Sequence, residues 1–526
     1  MRSRLALGLA VLLAACSDGG SSGPNIPTVP WANFRHDNSN SALNGAILRN
    51  EGNPQLVFPV VEGTITLSTP AIDRNGNLLL GTSNGVMSLD QDGNVRWTFE
   101  GYSTSGAPDP PCTVCTLGTP GCLPVGRVTA SPTVSPGDTI VFGTEGPDGR
   151  LFAIEEHQLD IDCNWIFPSA NEPGVGFRSS AAVLINTLDL SLQSVFVGAD
   201  DGLLRGINAD GTVRWSVATG GPVTASPTLD SNLNTYVTTA DGIIPSVSFS
   251  GTPFGTPISV GRPLDAPFQP SPAVLLDLYA IGSGGSLIAI VPPATRKWGF
   301  TPPTSSVIRG SPAFAGQSFS QQAETTFDTI VYVVDTQGTA FGVRDANGML
   351  LQLQRCPGGP DDPHPFTQDC RLQSCEPGQG KCENNNRCSD DDTVTCTRDS
   401  CETSDMGTCT LLPYCTDVEP GVPCSNTNAI PSAPATTIPA SPVLSGDLFV
   451  VVGTSDGRVC ARTLDNLVPG QTLDSPTETW RDGEGCITLD PTIDPTSPDA
   501  STRSSPIIGQ NGRIYVTTDA GLWVIE

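Results

Sequence analysis

A Ser/Thr-Pro/Ala pair followed by a short apolar run recurs eight times along this chain. The copies begin at Thr69-Pro70, Ser131-Pro132, Ser180-Ala181, Ser226-Pro227, Ser271-Pro272, Ser311-Pro312, Ser441-Pro442 and Ser505-Pro506. Where no insertion intervenes, the spacing is 40 to 49 residues. Each pair leads into a second apolar run that ends near a glycine, such as "LLLGTSNG", "VFVGADDG" or "FVVVGTSDG". A third run follows, such as "GVMSLD" or "LLRGIN", and then a fourth that carries Trp in five units: Trp97, Trp165, Trp215, Trp298 and Trp480. Four short strands at this period predict an antiparallel sheet per unit. Asn-Gly and Asp-Gly pairs such as Asn75-Gly76 and Asp92-Gly93 supply the positive φ angles of tight hairpins.

One such sheet cannot bury both faces alone, so it has to stack on its neighbours. The expected fold is therefore all-β, an eight-bladed β-propeller of four-stranded antiparallel blades. The eighth unit stops at "GLWVIE" (521–526), after its third strand. The apolar "PQLVFPV" (54–60) has no unit of its own. The expectation is that it pairs with the strand containing Trp523 and completes the last blade. In "NLLLGT", Leu78 and Leu80 are expected to alternate into one sheet face.

The segments "SLDQDGNVRW" and "GINADGTVRW" resemble the pyrroloquinoline-quinone-like (PQQ-like) propeller repeat in their turn-then-Trp pattern. "PWANFRHDNSN", from Pro30, is similar to the short segment that precedes such repeats. The resemblance implies that the repeat Trp docks one blade on the next. Units four, six and eight depart from it by lacking that Trp.

Residues 356–428 interrupt the rhythm between units six and seven, which divides the repeats into blades one to six (30–355) and blades seven and eight (429–526). The interrupting segment holds Cys356, Cys370, Cys375, Cys382, Cys388, Cys396, Cys401, Cys409, Cys415 and Cys424 among polar residues. Too little apolar surface is present for a core, so covalent staples must hold it. Within it, Cys396-Thr397-Arg398-Asp399-Ser400-Cys401 and Gly407-Thr408-Cys409 resemble short Cys-Thr-x-Asp-x-Cys repeats of secreted proteins. Asp390, Asp391 and Asp392 read as a solvated acidic tip, because a calcium loop needs spaced oxygen ligands. Cys112, Cys115, Cys122 and Cys163 form a second even group, open to zinc, redox or disulfide readings, with disulfides favoured in an exported chain. Cys460 and Cys486 flank the expected fourth strand of unit seven and are expected to pair, closing a loop that contributes roughly 3 kcal/mol.

Export is read from the N-terminus. Arg2 and Arg4 precede a short apolar stretch, and Leu13-Ala14-Ala15-Cys16 resembles a bacterial lipobox with Cys16 as the lipidated residue. Residues 1–16 are then a lipoprotein signal peptide and 17–29 a flexible tether. Ser17 after the cysteine resembles the enterobacterial sorting pattern, and that resemblance implies the outer membrane. With 54 acidic against 26 basic residues and only Lys297 and Lys381 as lysines, no basic face is available for nucleic acid.

The resemblance implies two functions. A quinoprotein dehydrogenase would need PQQ, calcium, an axial Asp and usually an adjacent Cys-Cys pair, which this chain lacks. His36, His157 and His364 are far apart and read as solvent-facing. The favoured expectation is a non-catalytic envelope lipoprotein with no cofactor or metal, anchored to the membrane by its lipid. Its propeller would engage an envelope protein partner, as outer-membrane barrel-assembly propellers do. A surface module that is structural or binds glycans is the third reading.

Overall fold

The computed structural model describes residues 37–44 and 46, 54–59, 68–104, 112–157, 160–261, 270–302 apart from 294, and 307–345 apart from 322–323 and 337–338. Beyond these it describes short strands between Cys382 and Ala429, then 441–463 apart from 446–448 and 455–456, 485–489, 504–518 and 521–525. Cys16, His36, His364 and Trp480 lie outside the described residues, as do the side chains of the ten cysteines from Cys356 to Cys424.

The described chain is all-β, with one 3₁₀ turn at Ser283–Gly285. Seven of the eight units each form a four-stranded antiparallel sheet. In unit one the strands are Ala71–Ile72, Leu78–Gly81, Val86–Leu89 and Val95–Phe99, paired in that order. Unit four is split into a three-stranded and a two-stranded sheet. Its Thr235–Tyr236 and Ile243–Ile244 strands are only two residues long.

Local chemistry explains the hairpins. Asp73 Oδ1 accepts the backbone N–H groups of Asn75 and Asn77, both at 2.8 Å, while Gly76 takes φ 83°. Asp90 and Asp230 repeat the arrangement with Asn94 and Asn234. The Asn94 side chain holds the Asp90 carboxyl below its usual range. Such Asx turns fix the chain reversal without any tertiary contact.

Packing follows from stacking. Val141, Leu151 and Trp165 of unit two share a core with Val195, Val197 and Ile207 of unit three. Units three and four, four and five, and five and six share cores in the same way. Ile72, Leu78 and Leu80 of unit one share a core with units six, seven and eight, while Leu79 and Phe99 face unit two. Leu78, Leu79 and Leu80 are therefore all buried. Leu78 and Leu80 share one face as expected, and the opposite face, with Leu79, is buried as well because neighbouring units cover both sides of the sheet.

The strand Pro54–Pro59 pairs antiparallel with Gly521–Ile525, Leu56 opposite Trp523, as the apolar pattern predicts. Two other expectations shift. Asn428–Ala429 pairs with Thr339–Ala340, so the fourth strand of unit six follows the Cys-rich segment. That segment then lies inside unit six rather than between units. A long insertion is tolerated there because the cost of closing a loop rises only logarithmically with its length. In unit seven the fourth-strand place is taken by Gly485–Thr488, beyond Trp480.

Candidate functional site

The first strands of the units form an inner wall, and the repeated serine links them. Ser131 N–H donates to Ser180 Oγ at 2.9 Å, Ser180 N–H to Ser226 Oγ at 3.2 Å, and Ser226 N–H to Ser271 Oγ at 2.8 Å. The series continues through Ser311, Ser441 and Ser505 at 2.9, 2.8 and 3.1 Å. A hydroxyl at this position accepts the one backbone donor that the strand start leaves over. Proline at the next position, present in seven of the eight copies, has no N–H to satisfy.

This predicts the cost of breaking the series. Ser271→Ala strands the buried Ser226 N–H without its acceptor, and unfolding free energy falls by about 1–2 kcal/mol. Ser271→Thr keeps the oxygen and loses less. Urea denaturation followed by circular dichroism reads both.

Three residues beyond the serine in six consecutive units, the wall receives a segment from far away in sequence. Residues 37–44, "DNSNSALN", cross the first strands of units three to eight in order. The Asn38 carboxamide pairs with the Val183 main chain, donating to O at 2.6 Å and accepting N–H at 3.2 Å. Leu229 N–H donates to Asn38 O, Val274 N–H to Ser39 O, Phe314 N–H to Ser41 O and Leu444 N–H to Ala42 O. Asn44 N–H returns a bond to Leu444 O, and its carboxamide donates to Ile508 O at 2.7 Å. Asn40 reaches Pro272 O at 2.7 Å. The segment curls because Asp37 Oδ1 accepts the N–H groups of Ser39 and Ser41. Asn40 and Ala42 take φ 55° and 54°. Alanine rarely adopts that conformation, so the surrounding bonds hold it there.

The sequence-predicted residues fall elsewhere. Trp165 donates from Nε1 to Ala209 O of the next unit at 2.9 Å, Trp215 to Phe249 O at 3.1 Å and Trp298 to Asp345 O at 2.8 Å. Trp97 is buried between units one and two. These four tryptophans sit in the fourth strands of their units and not on the inner wall. His157 is exposed.

Cys112 is bonded to Cys163 and Cys115 to Cys122. The C-x-x-C cysteines are therefore not bonded to each other, and no thiolate of this group is left for zinc. These bonds staple a loop whose small sheet joins Gly101–Ser103 to Thr113–Val114 and Leu123–Pro124. Its Val114, Leu117 and Leu123 are exposed. Cys460 and Cys486 are bonded, facing each other across the third and fourth strands of unit seven.

A cluster of one lysine and two carboxylates lies between units five and six. Lys297 Nζ donates to Asp277 at 2.5 Å and to Asp345 at 2.9 Å. Burial raises the Asp345 carboxyl above its ordinary value. For Lys297 burial opposes the charge, but the hydrogen bonds to the two carboxylates outweigh it and its pKa rises.

No family model matches the chain. No curated protein matches it either. Among solved structures, BamB from Moraxella catarrhalis is similar at 14% identity over 74% of this chain and 94% of its own, with TM-score 0.37. The computationally designed Ika8 protein is similar at 12% identity over 90% and 99%, with TM-score 0.43. The quinohemoprotein alcohol dehydrogenase ADHIIG from Pseudomonas putida HK5 is similar at 12% identity over 95% and 80%, with TM-score 0.41. Values this low carry no assignment of family or function.

Proposed function

We propose that the chain is a non-catalytic, lipid-anchored propeller of the cell envelope that serves as a protein-interaction scaffold, with outer-membrane protein assembly as its setting. In this reading the eight sheets close into an eight-bladed ring, the serine series encircles its axis, and the outer-strand tryptophans dock each blade on the next. Cys16 carries the lipid. The stapled loop with exposed Val114, Leu117 and Leu123 is a partner-facing surface.

One observation carries the non-catalytic reading: residues 37–44 occupy the inner wall of units three to eight. A calcium–quinone pair needs carboxylates and free amide oxygens there. The segment's one carboxylate and the carboxamide oxygens of Asn38 and Asn44 are spent on the chain itself. Asp37 accepts Ser39 and Ser41, Asn38 Oδ1 accepts Val183 N–H, and Asn44 Oδ1 accepts Ala46 N–H. These residues do not fit the pair, and no reaction is assigned.

The test is capture of the full-length chain from crosslinked envelopes of its own host. Barrel-assembly subunits are expected in the eluate, well above recovery with a Cys16→Ser chain, which is expected to leave the membrane pellet. Equal recovery from both, or a thermal shift of the purified protein by quinone with calcium, would sink the reading.

A further inference from the structure

Residues 37–44 meet the inner wall as a ligand meets a receptor. Their sequence neighbours in the structure are the closing strand Pro54–Pro59 of unit eight, yet their bonds run to six units whose first strands span residues 183 to 508. One contact point recurs in all six of these units, the third residue after the motif serine, namely Val183, Leu229, Val274, Phe314, Leu444 and Ile508. At four of these the wall donates its N–H to the segment's main-chain oxygens. At Val183, Pro272 and Ile508 it accepts from an asparagine carboxamide. Asn40, Ser41, Ala42 and Asn44 are buried by the contact. The first half of the segment's curl is set within itself, by Asp37, and bonds to the wall hold the second half, where Ala42 takes a positive φ.

We propose that the inner wall is a peptide-binding site, filled in cis by residues 37–44, and that it accepts the same segment in trans. Main-chain bonds supply affinity, as when a peptide adds to a sheet. The carboxamides of Asn38, Asn40 and Asn44 supply selection, because they donate to backbone carbonyls of Val183, of Pro227 and Pro272, and of Ile508 that an apolar side chain would leave unpaired. The ligand class is a short, curled, asparagine-bearing peptide. The site is separate from the stapled loop; it shares with the scaffold reading only the observation that residues 37–44 lie on the wall, and exchange of the peptide can fail while that reading stands.

The test uses the full chain with a protease site placed within residues 47–53. After cleavage, a fluorescent peptide of residues 37–46 is added at a series of urea concentrations below the global unfolding midpoint. The resident fragment is expected to exchange for it, saturating at one peptide per chain and competed by unlabelled peptide. A peptide with Asn38→Ala and Asn40→Ala should bind at least about tenfold more weakly, the loss of roughly 1.4 kcal/mol. A full-length N38A/N40A chain, left uncleaved, should take up the wild-type peptide where the uncleaved wild type does not. Retention of the resident fragment up to global unfolding would overturn the proposal, since the segment would then be core. Equal binding of the alanine peptide, or equal uptake by uncleaved wild type, would overturn it as well.

Discussion

Replacing Trp165 with alanine lowers the unfolding free energy by about 3–5 kcal/mol, the range for deleting a buried tryptophan. The indole is 2% exposed and sits in the core shared by units two and three. Its Nε1 donates to Ala209 O, in the hairpin between the third and fourth strands of unit three. The same hairpin presents Gly211, at φ 82°, directly beneath the ring: a Cβ built there lies 2.8 Å from Trp165 Cγ. The glycine is thus needed twice, for its left-handed backbone and for the room it leaves. Trp215 repeats the arrangement with Phe249 O and Gly251. Trp165→Ala therefore removes apolar area, loses the hydrogen bond to the hairpin and leaves a cavity between the two units. Trp165→Phe keeps most of the area and loses the hydrogen bond, so it costs less than half as much. Urea denaturation followed by far-ultraviolet circular dichroism checks both. If alanine costs no more than phenylalanine, the indole does not join the units.

That architecture was legible because its determinants are local and repeated. The Asp-x-x-x-Asn hairpins at Asp73 and Asp90 and the glycine-terminated second strands recur at a fixed period, and each acts within a few residues of itself. The pairing of Pro54–Pro59 with the last strand was also legible, because one unit lacked a strand and one strand lacked a unit. The inner wall was not. The serine motif marked the repeats, but the bond from each serine to the next depends on how neighbouring first strands lie side by side, which no single unit encodes. Residues 37–44 were harder still. Asparagine and serine at this density read as a polar lead-in, and nothing in the segment states that its carboxamides will find main-chain atoms 145 to 464 positions away. The strand order around the Cys-rich segment failed for a related reason: a two-residue strand such as Asn428–Ala429 has too little pattern to be recognised.

Lys297→Met is expected to cost about 2–4 kcal/mol at neutral pH and progressively less on either side. The ammonium joins Asp277 of unit five to Asp345 of unit six, with side-chain exposures of 29%, 10% and 12%. Removing it leaves two facing carboxylates without their cation, and an uncompensated buried charge is the expensive outcome. Methionine retains the length of the stem, so packing is largely kept. Burial already raises the Asp345 carboxyl, and without the lysine it rises further. A carboxyl with a raised folded-state pKa binds protons more readily when folded, so the variant gains stability as pH falls towards the carboxylate range. On the alkaline side the wild type changes instead. Its lysine has a folded pKa above the ordinary 10.5, so the stability it contributes is fully present below that value and is lost as pH climbs through the raised one. The difference between the two proteins should therefore trace a bell across pH, widest near neutrality. Asp345→Asn in the Lys297→Met background removes one of the facing charges and should recover part of the loss at pH 7 while flattening the acid limb. A difference that is constant with pH would mean that the lysine contributes through its stem alone, and that units five and six are held by their shared core of Tyr279, Val331 and Phe341 without help from charge.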